Sequence, residues 1–175
     1  MLANGNTTLL YYDSRGNLLA QTNALGQVAR YTYDPVFNQA TSITDPNGFV
    51  TTNLYDPHGN LLKQTDAMGF TLEWTYDGHG NVLTEKDRNG NATCHFYDQY
   101  GNRTNTIDAL GNVTAFTYDA IGNLLSRTDA NLHTSTFTYD ALNRLITETN
   151  GLSDPPPRTA AVARAGATQH RAAAQ

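Results

Sequence analysis

Tyrosine–aspartate pairs are the most regular source of chemically active side chains in this sequence. Acids repeated at turns could catalyse glycoside hydrolysis, and tyrosine rings could stack on sugars. We call the stretch from one Tyr-Asp pair to the residue before the next pair a unit. Residues that recur in every unit more often serve recurrent packing, so we interpret the tyrosine as a residue of the packed face and the aspartate as a turn cap. The pairs are Tyr12-Asp13, Tyr33-Asp34, Tyr55-Asp56, Tyr76-Asp77, Tyr97-Asp98, Tyr118-Asp119 and Tyr139-Asp140, at spacings of 21 or 22 residues.

A second row of aspartates could line one edge of the folded chain and bind calcium; it comprises Asp45, Asp66, Asp87, Asp108 and Asp129. However, an aspartate three residues before a glycine is also an ordinary turn starter, and the Gly-Gly-x-Gly-x-Asp calcium repeat is absent. Glycoside hydrolysis needs two acids about 5–10 Å apart in a cleft. No acid, nucleophile or base stands out from the repeat, so the sequence predicts no catalytic residue and no enzyme.

The histidines and the single cysteine give no clear metal or redox signal. The five histidines lack zinc-ligand spacing. His58 and His79 occupy the same turn position in consecutive units, which leaves a weak metal site as an alternative. We expect no metal and no cofactor. The single cysteine, Cys94, excludes an internal disulfide and is interpreted as a small buried apolar residue.

An aromatic row is the best candidate for ligand binding. It occupies the position two residues before each tyrosine of a pair, on the same face of a strand. Its members are Leu10, Tyr31, Asn53, Trp74, His95, Phe116 and Phe137. Such rings pack the inner face of a sheet or, alternatively, stack on cell-surface carbohydrate, for which Trp74 is the best single residue.

The turns between these positions predict an all-β fold. Glycine tolerates the positive φ that tight hairpin turns require. One turn follows each Tyr-Asp pair, and a second precedes the next tyrosine. The sequence therefore predicts a repetitive antiparallel strip of about fourteen strands of ~5 residues, which strand twist coils into a curved or spiralling sheet. The glycines of the first turn are Gly16, Gly59, Gly80, Gly101 and Gly122.

Three positions depart from the turn pattern. Asn38 replaces glycine in a unit that is one residue longer, and asparagine tolerates a left-handed backbone. Asn143 takes the equivalent place in the last unit. Leu132 stands where the last second turn requires glycine, so we expect that turn to be looser or Asn131 to take over the glycine's role.

The repeat array is predicted to span residues 1–152, and a Pro- and Ala-rich tail, residues 153–175, is predicted to be disordered. Residues 1–154 carry 8 basic and 16 acidic side chains, whereas residues 155–175 carry 3 arginines and no acid. The net charge of −5 argues against nucleic-acid binding. No apolar run approaches the roughly 20 residues of a membrane span, and the N-terminus lacks the features of a signal peptide. Open sheet edges predict self-association.

The units closely resemble the YD repeats of bacterial rearrangement hot spot (RHS) proteins, wall-associated proteins, toxin-complex shell subunits and teneurins. YDPHGNLLKQTDAMGFTLEWTYD and YDAIGNLLSRTDANLHTSTFTYD carry the resemblance, which covers about residues 4–152. It implies that the chain is a structural, non-catalytic segment of a longer, secreted or surface-exposed bacterial protein. Its partners would be the remainder of a β-shell and the toxin that such shells package for competition between cells. Single YD repeats are also linked to carbohydrate binding.

Overall fold

One long antiparallel sheet makes up the described part of this computed structural model, residues 7–151. The strands lie in chain order, each paired with its neighbours along the chain, which confirms the predicted all-β hairpin strip. The fourteen strands are β1 (Leu9–Tyr12), β2 (Leu18–Thr22), β3 (Val28–Tyr33), β4 (Ala40–Thr44), β5 (Val50–Tyr55), β6 (Leu61–Thr65), β7 (Thr71–Tyr76), β8 (Val82–Lys86), β9 (Ala92–Tyr97), β10 (Arg103–Ile107), β11 (Val113–Tyr118), β12 (Leu124–Thr128), β13 (Thr134–Tyr139) and β14 (Leu145–Thr149).

A β-bulge lies beside the tyrosine in every hairpin closed by a Tyr-Asp turn. In the β7–β8 pair, Thr75 lies opposite Thr84 but Tyr76 lies opposite Val82, so Leu83 is the additional residue. The same register shift occurs at the equivalent position of the six other such pairs. A bulge increases the local right-handed twist of a strand pair. The repeat therefore carries a local cause for the twist on which the predicted coiling depends.

The sheet is a single layer with little enclosed core. Among the described residues only Ala20 and His95 are buried, at 8% and 6% exposure. Strand side chains alternate between two faces, and we call the face that carries the Tyr-Asp tyrosines the tyrosine face. On that face most strand side chains are half-buried against their neighbours. Stability therefore arises mainly between adjacent strands, as in other repeat proteins.

The three departures from the turn pattern all adopt a left-handed backbone. Asn38 has a φ of 55° and Asn143 a φ of 61°, as expected for asparagine in place of glycine. Leu132 has a φ of 67°, and its amide donates to the Asp129 carbonyl at 3.0 Å, as in the glycine-containing turns. The expectation of a looser turn, or of Asn131 in the glycine's role, is therefore wrong. The hydrogen bonds of the flanking strands and the Asp129 cap hold the turn, and Leu132 adopts a backbone conformation that leucine disfavours.

Two sequence-based predictions fall outside the described residues. They are the array boundary at residue 152 and the disordered tail, residues 153–175, and both remain predictions. Within residues 7–151, no helix is long and apolar enough to cross a membrane.

Candidate functional site

The aspartate of each Tyr-Asp pair organises the turn that follows it. One carboxylate oxygen of Asp77 accepts the backbone N–H groups of His79 and Asn81 at 2.8 and 2.9 Å. The other accepts the Asn81 side-chain amide at 2.9 Å. The Gly80 amide donates to the Asp77 carbonyl, and the Asp77 amide donates to the Asn81 carbonyl. This is a three-residue hairpin loop with glycine in the left-handed position, held by one acid and one amide.

The second turn of each unit uses the same geometry. Asp87 accepts the backbone amides of Asn89 and Asn91 at 2.8 Å and the Asn91 side chain at 2.8 Å. Its glycine, Gly90, also has a positive φ of 85°. The two turns of a unit are therefore one loop used twice. The asparagine that follows the glycine is a partner of the aspartate, a role that the sequence analysis did not assign.

These loop contacts bear on the metal sites considered from the sequence. Asp66, Asp87 and Asp108 each accept backbone amides of their own turns, so their carboxylates are engaged within the loops. His58 and His79 do come together, because both line one depression of about 240 Å³ beside Asp77. Within residues 7–151, no group of three or more His, Cys, Asp or Glu side chains is placed to hold a metal ion.

The tyrosine of each pair joins its unit to the preceding one. The Tyr76 hydroxyl donates to the Leu61 carbonyl, 15 residues earlier, at 2.9 Å. Burial raises the pKa of the Tyr76 phenol, which remains a hydrogen-bond donor at neutral pH. The sequence pattern predicts that these rings pack on the sheet, but it does not predict this hydrogen bond. It recurs at 2.9 to 3.0 Å from Tyr33, Tyr55, Tyr76, Tyr97, Tyr118 and Tyr139 to Leu18, Ala40, Leu61, Val82, Arg103 and Leu124.

A tyrosine bonded to the preceding unit, together with two aspartate-capped loops, defines the repeat. The sequence profile of the RHS repeat matches residues 12–52, 55–92, 97–134 and 118–154, which is most of the chain. The chain belongs to the RHS repeat family. A search of curated protein sequences finds no significant match.

Solved structures support the same architecture. The RHS array is similar to TcdB2-TccC3 in complex with Cdc42, with a TM-score of 0.67 and 18% identity. It is also similar to the Photorhabdus luminescens Tc holotoxin pore carrying a mutated TccC3, with a TM-score of 0.64 and 19% identity. Each match covers 83% of this chain and 9% of the solved chain. At such identities the likeness shows a shared fold, and this chain spans about a tenth of the length of those proteins.

The aromatic row of the RHS array contains one buried histidine. His95 lies between Glu85 and Thr106, with its Nε2 at 3.0 Å from Glu85 Oε1 and its Nδ1 at 3.1 Å from Thr106 Oγ1. Both ring nitrogens are therefore satisfied. The other six positions of the row in the sheet carry no second histidine, and Phe116 is instead covered by the Arg103 guanidinium at 5.2 Å. The sequence places His95 in this row and among five scattered histidines, and it does not predict the cluster with Glu85 and Thr106.

Trp74 lies next to Glu85 on the tyrosine face and lines a shallow depression of about 320 Å³. The indole is half-buried, so part of it faces the depression. The remaining lining combines apolar and polar side chains, namely Leu72, Glu85, Lys86, Asp87, Asn91 and Thr93. An aromatic surface with carboxylate and amide groups beside it is suited to a sugar ring. None of the other aromatic residues of the row lines this depression.

We expect acid to destabilise the RHS array through its loops. Hydrogen bonds from the Asn81 side chain and backbone lower the pKa of Asp77 below its ordinary value of 3.8. The pKa is also lowered at Asp13, Asp56, Asp87, Asp98, Asp108, Asp119, Asp129 and Asp140. A carboxyl whose folded pKa is depressed stabilises the fold above its unfolded pKa, and this stability is lost as pH falls through the folded pKa. Urea unfolding followed by circular dichroism should show a midpoint that declines from about pH 4 downwards.

An Asp77→Asn variant provides the control for this pH dependence. It should be less stable than the parent chain at neutral pH, because the amide replaces a charged acceptor of three hydrogen bonds. It should also lose less stability on acidification, because one titrating group has been removed. A midpoint that stays constant from about pH 6 to pH 3 would contradict the proposed role of the carboxylates.

Proposed function

We propose that this RHS array is a non-catalytic wall segment of a larger shell that encloses a toxin used in competition between bacteria. The observation that carries the proposal is the tyrosine-to-carbonyl hydrogen bond, which joins each unit to the one before it six times within residues 7–151. Because each unit can make this bond to the one before it, units can be added in series to a single-layered sheet. A single layer of this kind is suited to a wall. The partners are the rest of the shell and its toxin, and the whole protein is secreted or surface-exposed.

The chemistry of the described residues supports a structural role. The aspartate carboxylates mostly bond their own loops, the tyrosine phenols bond carbonyl groups, and His95 is held between Glu85 and Thr106. The sequence-based expectation of no catalysis is therefore retained in the proposal. A wall segment needs this pattern, because side chains committed to internal hydrogen bonds hold the sheet together.

A chimeric shell tests the wall role. Residues 12–151 would replace the stretch of TcdB2-TccC3 that superimposes on them, and protection of the enclosed toxin from added protease would be measured. We expect the chimera to assemble and to protect its content as the parent shell does. In a chimera carrying Tyr76→Ala, Tyr97→Ala and Tyr118→Ala, the toxin should be digested by the protease, because three hydrogen bonds between units are lost. A chimera that assembles intact but leaves the toxin open to digestion would contradict the proposal.

Carbohydrate binding is a second candidate function, favoured by the depression beside Trp74. Trp74 is the single tryptophan of the chain, so intrinsic fluorescence reports directly on this surface. Oligosaccharide binding should shift the emission of the parent chain. On a glycan array, which does not need the tryptophan signal, binding should be lost in Trp74→Leu. Phe137→Leu, in the same row but in β13, should leave binding intact. No glycan-array binding together with unchanged emission would exclude this candidate.

A further inference from the structure

The depression beside Trp74 is lined by more negative than positive charge. Glu85 and Asp87 contribute carboxylates to its lining. Lys86 also lines it, but the Lys86 Nζ lies 3.7 Å from Glu73 Oε2, on the face opposite the tyrosine face. An indole with two carboxylates beside it favours a positively charged ligand, because a cation is attracted both by the acids and by the face of the ring.

The Glu85 carboxylate is held in place at this depression by a buried neighbour. Its Oε1 lies 3.0 Å from Nε2 of His95, whose ring is 6% exposed and contacts Thr106 through the other nitrogen. The Glu85 side chain itself is 51% exposed, so its second oxygen, Oε2, can contact a ligand. A ring that is bonded at both nitrogens is a fixed support, and the carboxylate is therefore positioned before a ligand arrives.

The residue opposite each member of the aromatic row sets the charge beside that ring. Phe116 in β11 lies opposite Arg127, which presents a cation instead of an acid. Phe137 in β13 lies opposite Glu148, but Glu148 shares its depression with Arg127, which offsets the negative charge. A preference for a cationic ligand is therefore expected at the Trp74 depression and not at these two rings.

We propose that this depression binds an amino sugar, with the sugar ring against the Trp74 indole and the ammonium group beside the Glu85 carboxylate. The inference rests on the carbohydrate-binding candidate and names the class of sugar. The carboxamide oxygen of Asn91 and the hydroxyl of Thr93, both in the lining, supply partners for the sugar hydroxyls. A neutral sugar uses the indole and these two groups but gains nothing from the charge of Glu85.

Two matched oligosaccharides, titrated into the full 175-residue chain in a calorimeter, test the proposal. A tetrasaccharide of glucosamine carries free amines, which are protonated at mildly acidic pH, and a tetrasaccharide of N-acetylglucosamine carries the same rings without charge. We expect the charged sugar to bind about five- to tenfold more tightly at low salt. Equal or tighter binding of the neutral sugar would overturn the amino-sugar proposal and leave the carbohydrate-binding candidate standing. Binding of neither sugar would overturn both.

Two substitutions of equal charge change identify the carboxylate. Glu85→Gln removes the charge but keeps an oxygen that accepts the hydrogen bond of His95. It should weaken binding of the glucosamine tetrasaccharide about fivefold and leave binding of the N-acetylglucosamine tetrasaccharide unchanged, which also shows that the depression is intact. Glu73→Gln is the matched control, because it removes the same charge from the neighbouring strand on the opposite face, and it should change neither affinity. Equal effects of the two substitutions would overturn the proposal.

A basic peptide distinguishes an amino sugar from positive charge alone. Trilysine carries ammonium groups but has no sugar ring to stack on the Trp74 indole and no hydroxyls for the polar groups of the depression. We expect it to bind more weakly than the glucosamine tetrasaccharide. Trilysine binding as tightly as this sugar would show that the depression selects charge alone, and the amino-sugar proposal would then be wrong.

Discussion

Substituting Tyr97 should destabilise the centre of the array in two separable steps. The Tyr97 hydroxyl donates to the Val82 carbonyl at 2.9 Å, and the ring is half-buried on the tyrosine face. Tyr97→Phe removes the hydrogen bond alone and should cost about 1 kcal/mol of unfolding free energy. Tyr97→Ala also removes the ring and should cost about 3 kcal/mol in total, because the ring packs between adjacent units.

The measurement is urea unfolding of each variant, with attention to the slope as well as the midpoint. Because stability in a repeat array arises between neighbours, a weak central interface separates the two halves energetically. Tyr97→Ala should therefore lower the unfolding slope or split the transition in two. Tyr100→Ala is the matched control, because that ring is 77% exposed and lies three residues away. It should change the free energy by less than about 0.5 kcal/mol.

The outcome also distinguishes two roles for the repeated tyrosine. If the tyrosine contributed ring packing only, Tyr97→Phe would be nearly neutral and Tyr97→Ala would retain its full cost. If it were a solvent-facing binding residue, both substitutions would be nearly neutral, as for Tyr100. A measurable cost for Tyr97→Phe identifies the inter-unit hydrogen bond as part of the fold.

The sequence predicted the architecture well because its signals are local. Glycine or asparagine at the left-handed position and alternation along short segments predict strands and turns without knowledge of tertiary contacts. The fourteen-strand sheet and the left-handed conformations of Asn38 and Asn143 follow from these signals. Leu132 shows the limit of this reasoning. Its side chain disfavours the conformation that the surrounding ladder imposes, and the ladder prevails.

The contacts of the candidate site were harder to predict. Their partners are backbone carbonyls, or side chains that only the strand register brings together, and neither is identified by residue type. The Tyr76 phenol bonds the backbone carbonyl of Leu61, and every residue carries a carbonyl. The cluster of His95 with Glu85 and Thr106 depends on the register of three strands. The bulge beside each tyrosine shifts that register by one residue, and the sequence analysis did not predict the bulge. The asparagine partner of each turn aspartate was detectable, because Asn follows Gly at a fixed distance from Asp in most units.

The turn glycines give the second prediction, because two glycines in one turn differ in backbone conformation. Gly80 has a φ of 88°, whereas Gly78, two residues earlier, lies outside the left-handed region. An added Cβ meets nothing within 4 Å at Gly78 and only the Asn60 side chain at 3.8 Å at Gly80. Substitution at the two positions therefore differs mainly in backbone strain. Gly80→Ala should cost about 1–2 kcal/mol and Gly80→Val about 3 kcal/mol, because a β-branched side chain is least tolerated there.

Gly78→Ala should be neutral or stabilise by about 0.5 kcal/mol, because alanine reduces the entropy of the unfolded chain and fits the native conformation. The reverse experiment uses Leu132, whose φ is 67° and whose side chain is 79% exposed. Leu132→Gly should stabilise the chain by about 0.5–1 kcal/mol, since relief of strain exceeds the entropy cost of glycine. Leu110→Gly, at an exposed turn position without positive φ, should instead destabilise it. Equal effects at Gly78 and Gly80 would show that the loop adapts its backbone to the side chain, and the turn would then not be fixed by its aspartate and ladder.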